Sequence, residues 1–549
     1  MNIKRNALAI AVTAACAGNA HAGALGADVE IFVGGATAPT NFLRETAVQN
    51  YCADPAVAGN FIDVYVDTVN TAPAPGVLMT QDDHWVVHCK ASSAFSAALA
   101  GKTMAIYKYD GGSATGVTPI SEGLENDHLD ATASGPCALS SAGNTAANGY
   151  SWDLYECGSG DVKSQISDGG ISDVEPNKFV GELAVLSAKA GQPGSAPVDY
   201  VDRGNLPAKA GPGLNFGVVV TESFRNELQD DQIGLAAAGP YGEYKLDASC
   251  DDSPDDRERA DCMPTIPKPL VRAAFSGDLK DWEDFPVFGK TIDTGAFPKK
   301  VNVCRRMQGS GTHAQHMIHY MRTNCTTDSI PMTGGRNIGP LSSFFENSGS
   351  SDLSKCLHAL ENGTGYDDGV DTFPAVPVGQ TGFAMGYQSL EKNPTFARDF
   401  RFVKVDGVTP TLQNAHAGLD QSQMYYLSFQ GRTAAPAFTG ITPPANVVDA
   451  TDTYVTGGVR TVAVDATEEA AIAEFFAKWN SLLTTGDIAV TNTQFEVLSG
   501  TADEWQGGFL LPTSSPDASF TLAKPATGFA RQDNSGDANS CQPLRNYVP

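Results

Sequence analysis

Positive charge is scarce in this chain. Only 36 Lys and Arg stand against 63 Asp and Glu in 549 residues, a formal net charge of −27. Such a surface repels nucleic acid and anionic membrane, and nucleic acid is not expected as a partner. It repels free anions at long range too, so an anion site here must work through short-range hydrogen bonds in a cleft. No C-x-x-C is present, which weakens a metal reading of the cysteines. No G-x-S-x-G is present either, and with it goes the nucleophile turn of an ordinary α/β-hydrolase. Gly101-Lys102-Thr103 and Gly289-Lys290-Thr291 end like a phosphate-binding loop, but Ser96 and Asp284 occupy the first glycine position. No internal repeat is found, and no apolar run beyond the N-terminus reaches the length of a membrane span.

The N-terminus carries Lys4 and Arg5, an apolar run from Ala7 to about Ala17, and then Ala20-His21-Ala22. This reads as a signal peptide cleaved after Ala22, with lipidation at Cys16 as the less favoured alternative, because Thr13 stands where an aliphatic residue is usual. Ten cysteines then remain. An even count in an exported chain reads as disulfides. Short loops favour Cys137–Cys157 and Cys250–Cys262, with Cys52–Cys89 next, and the pairing of Cys304, Cys325, Cys356 and Cys541 stays open. The expected location is the periplasm or the medium.

The chain is too long for a single core. Three passages alternate strand, small-residue loop and helix. They are Val29–Val33 with the loop from Gly34 to Pro39, Met104–Tyr107 with the loop from Gly111 to Gly116, and Val301–Arg306 with the loop from Gln308 to Thr312. The pattern predicts an α/β protein with mainly parallel, doubly wound sheets. The stretches 50–100 and 121–165 show little periodicity and read as disulfide-pinned insertions. Asp247–Asp261 reads as a surface loop, 430–465 as loop or edge strand, and Ala466–Leu483 as a helix.

Each of the three loops opens a predicted helix. Free N–H groups and the positive end of the helix dipole bind tetrahedral oxyanions there. The candidate ligand groups are Thr37, Ser113, and Ser310, Gly311 and Thr312. Arg306 adds a guanidinium able to grip an oxyanion with two hydrogen bonds. Asp173 can accept the proton of a protonated oxyanion, which favours phosphate over sulfate. One such loop alone is usually only a capped turn.

In order and wording these loops resemble those of the periplasmic phosphate-binding proteins of ABC transporters, the PstS-like group of type 2 binding proteins. The resemblance rests on Gly34 to Pro39, Tyr109 to Val117, Asp168 to Asp173 and Leu214 to Val220. It continues through Ala274 to Trp282, Arg306 to Thr312, Gly379 to Tyr387 and Val405 to Asn414. It implies a two-lobed Venus-flytrap fold with the ligand between the lobes. Lobe I would comprise 23–212, with the insertions at about 50–100 and 121–165. Lobe II would be 213–389, and 390–549 would return to lobe I with a C-terminal elaboration. Thr37, Ser113 and Asp173 would bind from one lobe, and Arg306, Ser310, Gly311 and Thr312 from the other. The ligand would be inorganic phosphate or a related oxyanion, delivered by a monomer to an ABC permease, with no cofactor and no catalysis. A secreted or surface protein with a non-transport role, or a phosphoesterase, is the alternative. Two positions depart from the pattern. Gln308 stands where the group has the aspartate that pairs with the arginine, which would leave Arg306 more available, and Ala38 replaces an aromatic.

His313, His316 and His319 share a predicted helix, and His84 and His88 flank Trp85-Val86-Val87. Both sets read as packing or surface residues before they read as metal ligands. Asn362 to Asp371 reads as an acidic turn before a calcium loop.

Overall fold

The computed structural model describes residues 25–37, 39–67, 84–96, 98–122, 125–131, 137–146, 148–158, 161–179, 208–323, 325, 337–338, 342–347, 349–367, 372–373, 381–390, 399–419, 424–431, 466–485, 509–514, 526–535 and 537–546. The signal-peptide reading, Cys16, Ala38 and nearly all of 430–465 lie outside them.

The protein is mixed α/β. Its strands include β1 (Val29–Gly35), β2 (Ile62–Asp67), β3 (His84–Lys90), β4 (Thr103–Tyr109), β5 (Ser151–Cys157) and β6 (Gly169–Ser172). They continue with β7 (Ala208–Thr221), β8 (Val301–Arg306), β9 (Ser342–Asn347), β10 (Ala384–Ser389), β11 (Met424–Gly431) and β12 (Phe509–Pro512). All belong to one 16-stranded sheet in the order β9-β8-β10-β7-β11-β6-β1-β4-β3-β2-β5, with β12 beside β7. The hairpin partner Ala138–Thr145 closes the far end.

β7 joins the two halves of this sheet. Its first part, through Asn215, pairs with β11, and from Phe216 onward it pairs with β10. The expectation of a mainly parallel sheet needs correction. β1 runs parallel to β4 and β6, and β8 parallel to β9 and β10. In contrast, β7 is antiparallel to β10 and β11, and β3 is antiparallel to β2 and β4.

The stretches read as disulfide-pinned insertions hold Cys52–Cys89 and Cys137–Cys157, and they also carry strands. β2, β3 and β5 extend the sheet, and Val64, Trp85 and Val87 share the main apolar cluster with Ile31 and Ile106. Of the seven residues of β3, only Lys90 is not buried. A strand covered on both faces shows no period-two alternation, so its sequence gave no strand signal. The same cluster continues past β7 to Val301, Val303 and Met385.

Helix α1 (Thr40–Thr46) follows β1, and α2 (Gly311–Met321) follows β8. Helix α3 (Ser350–Asn362) follows β9, and α4 (Ala466–Thr485) covers the predicted helix at 466–483. Phe475 and Trp479 of α4 pack on Tyr51, so this late segment returns to the β1 half. Asp247–Asp261 holds short helical turns, not open loop. No described helix is long and apolar enough to cross a membrane.

Cys52–Cys89, Cys137–Cys157 and Cys250–Cys262 are paired as expected. The two pairs left open are Cys304–Cys356 and Cys325–Cys541. Five disulfides fit an oxidising, extracytoplasmic compartment.

Candidate functional site

In open α/β sheets, loops gather beyond the carboxyl ends of parallel strands. Here β1, β4 and β6 deliver their ends to one edge, where Gly34 lies opposite Tyr109 and Gly170. Backbone packs directly on backbone. A Cβ added to Gly35 would lie 1.9 Å from the Ile171 carbonyl oxygen, and one on Gly116 would lie 2.4 Å from the same atom. Gly35 also has φ +125°, which favours glycine. Asn126 of the neighbouring hairpin donates to the Thr115 carbonyl (3.1 Å) and the Ser167 hydroxyl (2.8 Å). Part of the segment 121–165 therefore buttresses these loops.

The structure brings most of the sequence-predicted residues together. Ser113 and Asp173 are buried, and the Asp173 N–H donates to Ser113 Oγ (3.1 Å). From the other half of the sheet, β8 ends at the buried Arg306, and its loop leads through Ser310 into Gly311, the first residue of α2. The two sides touch. The Ala114 N–H donates to the Gly309 carbonyl (2.9 Å), and Gln315 Nε2 donates to the Asp173 carbonyl (2.8 Å). A Cβ on Gly311 would fall 2.0 Å from Ser113 Oγ and 2.2 Å from Asp173 Oδ2. Gly311 and Thr312 occupy the first turn of α2, where N–H groups have no intrahelical acceptor. Thr37 is half-buried one residue beyond Ala36, whose N–H is held by the Ile171 carbonyl (2.9 Å).

Arg306 is not left available by Gln308, as the sequence implied. Its Nη1 donates to Ser350 Oγ (2.9 Å), and the Asp352 and Asp173 carboxyls both face it electrostatically. Residues at the start of α3 thus engage Arg306. Beneath Arg306 lies a cavity of about 10 Å³, lined by Arg305, Thr312, His313, His316 and Tyr387 among others. That is room for about one water.

His313 and His316 are buried, not surface residues. Burial and the charges of Arg305 and Arg306 push His313 down to about 3, and burial holds His316 and His319 well below the usual range. All three are neutral at pH 7, and His316 packs against Phe275 and Tyr387. His84 meets Asp67 through Nδ1 (2.8 Å) inside the sheet. Among the described residues, no group of His, Cys, Asp and Glu is placed to hold a metal ion.

One charged residue at the site was missed. Lys108 in β4 is fully buried. Its Nζ meets the carbonyls of Gly35 (3.3 Å), Ala36 (3.3 Å) and Tyr109 (2.9 Å), and Asp110 Oδ1 (2.5 Å). The other Asp110 oxygen accepts from the Thr40 hydroxyl. A lysine inside the apolar run Met104–Tyr109, two residues before an aspartate and a glycine pair, was the available signal.

The C-terminal segment reaches the same region from outside. The Ser540 N–H donates to Glu175 Oε2 (2.9 Å), while Cys541 is bonded to Cys325 beyond α2.

Burial pushes the Asp173 carboxyl up to about 6, opposed by Arg306, the Ser113 hydrogen bond and Lys108. A carboxyl raised above its ordinary 3.8 favours the fold fully below that value. The contribution is lost as pH rises through about 6. The ligand-free protein is therefore expected to lose melting temperature between pH 4 and 6, and Asp173→Asn to flatten that loss. Thermal melts of both proteins across this window check it, and identical slopes would refute the assignment.

No family model matches the chain, and no curated protein does. Among solved structures it is similar to an ABC-type phosphate transport receptor from Vibrio cholerae, at 9% identity and TM-score 0.25, over 49% of this chain and 69% of that one. It is also similar to PstS from Borrelia burgdorferi, at 10% identity and TM-score 0.22, over 41% of this chain and 61% of that one.

Proposed function

We propose that the protein is an extracytoplasmic solute-binding protein that takes up a tetrahedral oxyanion, with inorganic phosphate the favoured ligand. One observation carries this reading: Ser113 and Asp173 from one half of the sheet meet Arg306 and the start of α2 from the other half. Arg306 supplies a buried guanidinium. Gly311 and Thr312 supply N–H groups, and the hydroxyls of Thr37, Ser113, Ser310 and Thr312 add donors. Because the two sides touch, the anion enters by parting them and is gripped when they close on it again, with β7 as the joint of the two lobes. Above pH 6 an ionised Asp173 accepts a hydrogen bond from the P–OH of hydrogen phosphate and repels sulfate. The reading includes no chemical step, and the onward partner is an ABC permease.

Calorimetric titration with phosphate, arsenate and sulfate tests it. Phosphate and arsenate should bind, and sulfate should not at pH 7.5. Removing a charged hydrogen-bond partner costs about 1.5–3 kcal/mol, so Arg306→Ala should weaken phosphate ten- to a hundredfold. No heat from any of the three anions would reject the function, and an unchanged affinity would remove Arg306 from the site.

A second reading, a secreted or surface protein without a transport role, is favoured by the tight contact at Gly311 and by the Cys325–Cys541 tether. The same titration separates the two.

A further inference from the structure

The most buried charge beside the site belongs to a residue that the oxyanion reading does not use. Lys108 is 0% exposed, yet Lys is among the side chains least often found inside. Its ammonium has three protons, and four oxygens surround it. Two of those oxygens are the carbonyls of Gly35 and Ala36, which immediately precede Thr37. A third belongs to Asp110, which also holds Thr40 at the start of α1. The ammonium thus fixes the first loop to the second. It also faces Asp173 electrostatically, from the side of β4, while Arg306 faces Asp173 from β8.

We propose that Lys108 and Asp110 form a positioning and selectivity pair for the oxyanion site. Lys108 sets the place of Thr37 and supplies the second positive charge that keeps Asp173 an acceptor, and Asp110 tempers that charge. The proposal rests on the oxyanion reading above. The charges concerned are Lys108 and Asp110 on the β4 side, Arg306 with Asp352 on the β8 and α3 side, and Glu175 on the same segment as Asp173. Burial favours the protonated Asp173, whereas Lys108 and Arg306 oppose it. A protonated Asp173 would donate a hydrogen bond and welcome sulfate, and an ionised one accepts and prefers hydrogen phosphate. The charge on Lys108 therefore bears on which anion is held, not only on how tightly.

The test is the pH profile of phosphate and sulfate binding, measured by calorimetry from pH 4.5 to 8.5. The proteins compared are the wild type, Lys108→Met combined with Asp110→Asn, and Asp110→Asn alone. The double variant removes Lys108, which faces Asp173, together with the Asp110 that tempers it, and should raise the midpoint for phosphate preference by less than the roughly one unit or more expected for removal of a lone opposite charge. At pH 7 the phosphate-to-sulfate ratio should fall by up to about tenfold per unit of that shift. Asp110→Asn alone leaves Lys108 untempered and should move the midpoint the opposite way. Shifts in opposite directions support the proposal. Shifts in the same direction, or none in folded protein, overturn it, because a purely structural role weakens both anions alike. If the double variant does not fold, the sign of the shift in Asp110→Asn decides. A wild type that binds neither anion rejects the underlying oxyanion reading instead.

Discussion

A single methyl group at position 311 should remove most oxyanion binding while leaving the fold standing. Gly311 does not need glycine for its own backbone, because its φ lies outside the left-handed range. It needs glycine because of what faces it. The Cβ of Gly311→Ala would lie 2.0 Å from Ser113 Oγ and 2.2 Å from Asp173 Oδ2, where ordinary contact needs at least 3.4 Å. The two loops would have to move apart by more than 1 Å. Overpacking of this kind costs about 1–3 kcal/mol, and the displaced hydrogen bonds add to it. We expect phosphate affinity to fall about a hundredfold. The clash sits between loops and not in the apolar cluster, so the melting temperature should fall by only a few degrees. Calorimetry and thermal melts of Gly311→Ala check both parts. Undiminished affinity would mean that Ser113 and Asp173 do not work together with the start of α2.

Loss of the Cys325–Cys541 bridge should cost the most stability of any single disulfide. The bridge spans 216 residues, against 12 for Cys250–Cys262. Closing a loop removes unfolded-state entropy roughly with the logarithm of its length. The estimate is about 5 kcal/mol for the long loop and about 3 kcal/mol for the short one. Its position adds to the effect. Ser540 holds Glu175, two residues from Asp173, while its neighbour Cys541 is bonded to the segment after α2. The tail therefore joins the two sides of the site. Cys325→Ser with Cys541→Ser should shift the guanidinium unfolding midpoint clearly further down than Cys250→Ser with Cys262→Ser. Equal midpoints would show that the long bridge restrains nothing.

The loops of the site were legible because their chemistry is local. Glycine and serine between an apolar run and a helix pattern signal a close backbone approach, and Ser113, Asp173, Arg306, Ser310 and Gly311 all fell in such stretches. The partners that complete the site were not legible. Ser350 and Asp352 reach Arg306 from more than 40 residues away, and nothing in the wording of α3 announces it. Lys108 was hidden for the opposite reason. A lysine in a strand ordinarily marks an edge or a surface, and only the three-dimensional cluster of carbonyls makes it an interior charge. β3 was missed because a strand buried on both faces loses the alternation by which strands are read, whereas β2 does alternate, with Ile62, Val64 and Val66 buried, and its short signal was passed over. The disulfides followed the same rule of distance. Three short-range pairs were inferred, and the pairs spanning 52 and 216 residues were left open.

The path of β7 through the sheet bears on the order in which the protein is made. β6 finds its outer neighbour only when β11, at residues 424–431, has emerged, and β7 is flanked by β12 only at 509–512. The amino-terminal half, though synthesised first, stays an unfinished sheet with an open edge until residues 424–431 have appeared. Chains with such distant pairings fold slowly and expose sticky edges while they wait. Completion of the sheet thus waits on residues 424–431, and a truncation before residue 424 should strand β6 without its partner.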